Sequence, residues 1–150
     1  MYKDIFLFSI FTGLPYGDIY CLTWNQIRLE NQEYILQKNR AKTKVEIKQV
    51  LVKQAVFLLD KYKNDIETEI TGRLFPKRHL NNVNDYLKVL QKMAFINNNI
   101  STHIARHTCS QFLRDLGSIN NDVINSIEGW SNSKLGSSMI YRRTSIIEVV

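Results

Sequence analysis

Apolar residues run almost unbroken from Ile5 to Phe11, with only Ser9 interrupting them. So short a run predicts a buried helix over Asp4 to Phe11; a membrane span needs roughly 18–20 such residues. Thr12-Gly13-Leu14-Pro15 then punctuates the chain. Proline suits the first turn of a new helix, which Asp18, Ile19, Cys21 and Leu22 carry towards Trp24. The period next shortens to two. Glu33 to Lys38 holds Tyr34, Ile35 and Leu36, and Lys44 to Leu51 alternates Val45, Ile47, Gln49 and Leu51. The polar run Asn39-Arg40-Ala41-Lys42-Thr43 between them predicts the turn of an antiparallel pair.

Helical spacing returns from Val52 to Tyr62, followed by a polar loop and the extended piece Leu74-Phe75-Pro76. Asn81 to Phe95 is helical, with Val83, Tyr86, Leu87, Leu90, Met93 and Ala94 on one broad face. A further helix runs from Thr102 to Leu116 and stops at Gly117. Two shorter ones are expected over Asp122 to Ile127 and Ser131 to Arg142. With no repeat, linker or low-complexity tract, the pattern describes one α+β domain over residues 1–150, mostly helical, with a small antiparallel sheet.

Composition narrows the classes. A chain of 150 residues can bury a real core but not two. Twenty Lys and Arg against fourteen Asp and Glu leave +6, a modest surplus that favours a polyanionic partner. Cys21 and Cys109 have no metal-ligand spacing, and no signal segment is present. A cytoplasmic, reduced protein with no metal or cofactor is expected. Abundant Asn and Ile point to an AT-rich coding sequence and a bacterial source.

The candidate chemistry lies in Thr102-His103-Ile104-Ala105-Arg106-His107-Thr108. One turn of helix separates His103 from Arg106, so both share a face beside a core stripe expected at Ala105, Cys109, Phe112 and Leu116. An arginine there can grip two phosphate oxygens, and a histidine can move a proton near neutral pH. Taken alone, the string describes a solvated helix face. Downstream stand Gly129-Trp130, then Tyr141 followed by Arg142-Arg143.

In order along the chain, these strings resemble the catalytic domain of the tyrosine recombinases, the phage integrase family. Phe11-Thr12-Gly13-Leu14 with Asp18 and Leu22-Thr23-Trp24 is similar to the opening box, and Lys42-Thr43 to the lysine-threonine pair of the family's β-hairpin. His103 to Thr108 is similar to the H-x-x-R-H-T box, Gly129-Trp130 to a Gly-His or Gly-Trp pair, and Ile140-Tyr141 to the nucleophile segment. The resemblance implies a mostly helical fold with a small sheet and a site-specific DNA recombinase that forms a 3′-phosphotyrosyl intermediate without metal or ATP. It implies Tyr141 as nucleophile, with Arg106 and Trp130 on the phosphate. His103 would assist proton transfer, Lys42 would protonate the leaving oxygen, and Asp18 would buttress a neighbouring cation. Arg40, Lys44, Arg78, Arg142 and Arg143 are candidate DNA contacts.

Two positions depart from the family pattern. Pro15 stands where the family has its first catalytic arginine, as in branches resembling transposon integrases of Bacteroidetes; losing one such contact typically lowers a rate by about 10²–10³. Arg40, Lys44 and Arg78 are the cations that could fill the gap. The eleven residues from Trp130 to Tyr141 exceed the family's usual interval. The alternative is a degenerate recombinase fold that binds DNA without cutting it. The chain is expected to be an excised catalytic domain without the N-terminal core-binding domain, monomeric alone, with the full protein a homo-tetramer on double-stranded DNA. No membrane association is expected.

Overall fold

A computed structural model describes residues 1–42, 44–117, 119–120 and 123–124. Helix α1 (Tyr2–Thr12) is apolar nearly all round, as a helix enclosed by others should be. Gly13 ends it at φ 68°, a left-handed conformation that glycine adopts without penalty, and its N–H bonds the Ser9 carbonyl at 2.9 Å. After Pro15 comes the single turn and a half of α2 (Tyr16–Tyr20), whose Asp18 and Ile19 N–H groups bond the Pro15 carbonyl. The corner between the two helices is closely bonded: Ser9 Oγ donates to the Leu14 carbonyl at 2.6 Å and Thr12 Oγ1 to the Phe8 carbonyl at 2.7 Å.

Three antiparallel strands follow in the order β1 (Ile27–Glu30), β2 (Glu33–Asn39) and β3 (Glu46–Val50). Leu36 faces Gln49 and Lys38 faces Ile47 across the central pair. Leu36 and Ile47 are buried against the helical layer, joined by Ile5, Phe8, Leu14, Ile19, Leu22, Leu59, Leu74 and Phe75 in one core. Helices α3 (Lys53–Asp60), α4 (Ile66–Thr71), α5 (Leu80–Met93) and α6 (Thr102–Asp115) complete the described elements, and α1 packs against α2, α3, α5 and α6. The architecture is α+β: mostly helical, with one small antiparallel sheet.

Strand β1 and helix α4 are additions to the expected elements, and two core assignments change. Tyr86, Met93 and Ala94, expected on the apolar face of α5, are exposed. Along α6 the buried residues are Thr102, Ala105, Arg106, Cys109, Ser110 and Leu113, whereas Phe112 is 52% exposed. The stripe is thus rotated from the expected one, and Arg106 lies on it. Helix α6 packs against α1, and its Cys109 and Leu113 join Ile124 in a second, smaller apolar cluster. The terminal helices expected over 122–127 and 131–142 lie outside the described residues, except for Val123 and Ile124, which are helical.

Candidate functional site

Asp18 organises the first of two groups of candidate residues. It is buried on α2, and the β2–β3 hairpin closes over it. Arg40 Nε lies 2.5 Å from Asp18 Oδ2 and Lys38 Nζ lies 3.3 Å from Oδ1. The Ala41 N–H donates to Oδ1 at 2.7 Å, and the Lys38 ammonium donates to the Asp18 carbonyl at 3.0 Å. One carboxylate therefore holds two buried cations and a backbone N–H, which fixes the hairpin stem to α2. Burial makes each partner depend on the others, because an unpaired charge in this position is costly.

Beyond that anchor the chain turns outward. The turn is closed from both sides, Arg40 N–H to the Val45 carbonyl at 2.8 Å and Lys44 N–H to the Arg40 carbonyl at 3.1 Å. Lys42 stands exposed on it, and Lys44 is exposed at φ 59°. Arg40, expected as an outward DNA contact, is instead only 7% exposed, because Asp18 draws its guanidinium inward. Arg78 is half-buried and its guanidinium meets Glu67 at 3.0 Å, while its carbonyl accepts the Tyr16 hydroxyl. Burial and the neighbouring Tyr20 raise the Tyr16 phenol above its ordinary value, more than Arg78 lowers it, so it keeps its proton as a donor.

Helix α6 carries the second group. Ser101 caps it, its Oγ accepting from the Ile104 N–H at 3.4 Å. His103 is exposed while Arg106, one turn on, is 9% exposed on the side facing the core. The expected shared face is therefore split: the ring reaches solvent and the guanidinium is sheltered. His107, one further turn along, meets His103 with an Nε2–Nε2 separation of 2.8 Å and rings nearly perpendicular at 4.3 Å between centroids. Tyr141, Trp130, Arg142 and Arg143 lie outside the described residues, as does Thr43.

Two contributors escaped the sequence reading. Lys38 shares the inward parity of β2 with buried Leu36, and an inward lysine in a strand signals a buried acid partner. His107 stands four residues from His103, the interval that brings two side chains together on a helix. Among the described residues no group of three or more His, Cys, Asp or Glu side chains could hold a metal ion. No described helix is long and apolar enough to cross a membrane.

Comparison with known families and structures bears on this arrangement. The model of the family described as "Phage integrase family" matches residues 1–145. The fold is similar to that of the XerH site-specific recombinase bound to its difH substrate before cleavage, with a TM-score of 0.71 and 17% identity over 88% of this chain and 40% of that one. It is similar to the lambda integrase catalytic core, TM-score 0.66 and 15% identity, over 85% of this chain and 82% of that one. It is also similar to the Tn1549 transposon integrase (aa 82–397) in complex with circular intermediate DNA, TM-score 0.62 and 16% identity, over 86% of this chain and 50% of that one. No curated protein matches the sequence. The chain thus spans about two fifths of the length of the XerH chain.

Proposed function

The chain belongs to the phage integrase family, and from that premise we propose that it is the catalytic domain of a site-specific DNA recombinase. The observation that carries this reading is the family match across residues 1–145, which takes in every one of the resembling strings from Phe11 to Tyr141.

In this reading the Tyr141 hydroxyl attacks the scissile phosphorus and the 5′ oxygen leaves. The phosphodiester becomes a 3′-phosphotyrosyl ester of similar energy, so rejoining to a new 5′ hydroxyl needs no ATP. A free phenol has a pKa of about 10, so its proton must be taken up as it attacks. His103 does this from the solvent side of α6, and Lys42 on the hairpin turn protonates the departing oxygen. Arg106 and the Trp130 indole N–H stabilise the charge that builds on the non-bridging oxygens. Arg40 stands in for the arginine the family carries at position 15. Its support is that Asp18, one helical turn beyond Pro15, holds the Arg40 guanidinium beside the segment in which the family's arginine stands. Lys44, Arg142 and Arg143 contact the DNA backbone, and the full protein works as a tetramer on two duplexes in the cytoplasm.

A DNA-binding domain that no longer cuts is the second reading, and Pro15 is the residue that favours it. A suicide substrate nicked beside the cleavage point separates the two, using the full-length protein and its own recombination site. Formation of a covalent protein–DNA band that Tyr141→Phe abolishes is the expected result. Binding without that band in the unmutated protein would refute cleavage. Arg40→Ala is expected to lower band formation by about 10²–10³, with Pro15→Arg restoring it in the same chain. An Arg40→Ala protein that folds and cleaves normally would remove Arg40 from the reading.

A further inference from the structure

The paired rings on α6 have a use beyond proton transfer. His103 and His107 are both exposed, sit one turn apart, and bring their Nε2 atoms to 2.8 Å. At that separation one ring donates and the other accepts, so a single proton lies between two basic nitrogens. A transition-metal ion can take the place of that proton. With metal–nitrogen bonds of about 2.0–2.1 Å, two ligands at a right angle are about 2.9 Å apart, and two at a tetrahedral angle about 3.3–3.4 Å apart. The observed spacing therefore fits adjacent corners of a square or an octahedron, the preference of Cu²⁺ and Ni²⁺. It fits tetrahedral Zn²⁺ less well.

We propose that His103 and His107 form a two-imidazole site for a square-planar or octahedral divalent ion, Ni²⁺ or Cu²⁺, and that filling it blocks strand cleavage. Water completes the coordination in the free protein. For both rings to bind through Nε2, the hydrogen between them moves to Nδ1 of the ring that carried it, and the ion then occupies the nitrogen lone pair that His103 needs to accept a proton. The inhibitory half rests on the recombinase reading above; the binding half does not.

The test uses full-length protein and Ni²⁺ alone, since the exposed Cys21 would react with Cu²⁺. Calorimetric titration is expected to show a Ni²⁺ equivalent whose affinity falls by on the order of tenfold or more in His107→Gln and in His103→Gln. His79→Gln, which alters an exposed ring outside the pair, is expected to leave it unchanged. Affinity that survives both His107→Gln and His103→Gln overturns the site. Ni²⁺ is expected to suppress the covalent band of the unmutated protein reversibly, a chelator restoring it, while His107→Gln resists. Suppression that is equal in His107→Gln overturns the inhibitory role. A protein that makes no covalent band even without Ni²⁺ counts against the recombinase reading, and the titration still decides the metal site.

Discussion

Asp18→Asn removes the negative charge on which Lys38 and Arg40 both rest. The substitution is nearly isosteric, and the amide oxygen can still accept the Ala41 N–H, so its cost comes from charge. In the folded protein Lys38 and Arg40 are 7% exposed each, with Asp18 at 3.3 Å and 2.5 Å respectively. Stripping one partner from a buried ion pair typically costs about 3–5 kcal/mol, because the remaining charge is left in a poorly solvating site. Two cations are left here, but the hairpin turn is at the surface and water can enter as it loosens. A loss of about 3–4 kcal/mol is expected, a lowering of Tm by roughly 6–16 °C for a domain of this size. Urea unfolding followed by tryptophan fluorescence measures it, with circular dichroism as the second probe. Lys38→Met leaves the Asp18–Arg40 pair intact and should cost far less, and in the Asp18→Asn background it should recover part of the loss. If Asp18→Asn loses less than about 1 kcal/mol, the carboxylate does not hold the hairpin and the electrostatic argument fails.

Two further outcomes test other parts of the molecule. Phe8 is fully buried and meets Phe75 edge-on at 5.2 Å, so Phe8→Ala should cost about 3–5 kcal/mol in the same urea assay. A loss below about 1 kcal/mol would mean that the core is not centred on α1. Burial pushes the Asp4 carboxyl up, but the Tyr62 hydroxyl at 2.7 Å, the Met1 ammonium and Lys61 outweigh it and hold the carboxyl below its ordinary value. Its contribution is therefore complete above the unfolded carboxylate range and is lost as the pH falls through the lower folded value. Tyr62→Phe should cost about 0.5–1.5 kcal/mol at neutral pH and leave stability less steeply dependent on pH below 4; an unchanged acid limb would exclude the bond as a contributor.

What could be read along the chain was set by how burial is achieved locally. Helix α5 and the β2–β3 pair show their periods because one face of each is apolar and enclosed. Strand β1 was hidden because it is largely exposed and because the turn joining it to β2 lacks glycine: Asn31 and Gln32 themselves adopt φ 50° and 66°. Helix α4 inverts the usual pattern, exposing Ile66 and Ile70 and burying Thr68. Its ends define it: Asp65 Oδ1 accepts from the Glu67 and Thr68 N–H groups, and Gly72 closes it at φ 66°. On α6 the large residues misled, since the buried face carries Ala105, Cys109, Ser110 and Leu113 and leaves Phe112 outward. Within the candidate site, residue types and spacing pointed to His103 and Arg106, and Lys42 came from the family resemblance alone. The attachment of Arg40 and Lys38 to a single carboxylate is a tertiary fact that no local pattern contains.

The anchored hairpin also bears on the role proposed for Lys42. Ala41, the residue before Lys42, is pinned by its N–H to the Asp18 carboxylate. From there the Lys42 ammonium can wander only as far as its own side chain reaches. A sphere about 6 Å in radius around the backbone gives it an effective concentration on the order of 1 M, far above that of any free acid near neutral pH. If Lys42 is the acid proposed above, that acid is a tethered reagent with a short search. Its delivery is limited by the rotation of a few side-chain bonds, which takes nanoseconds, and not by diffusional encounter.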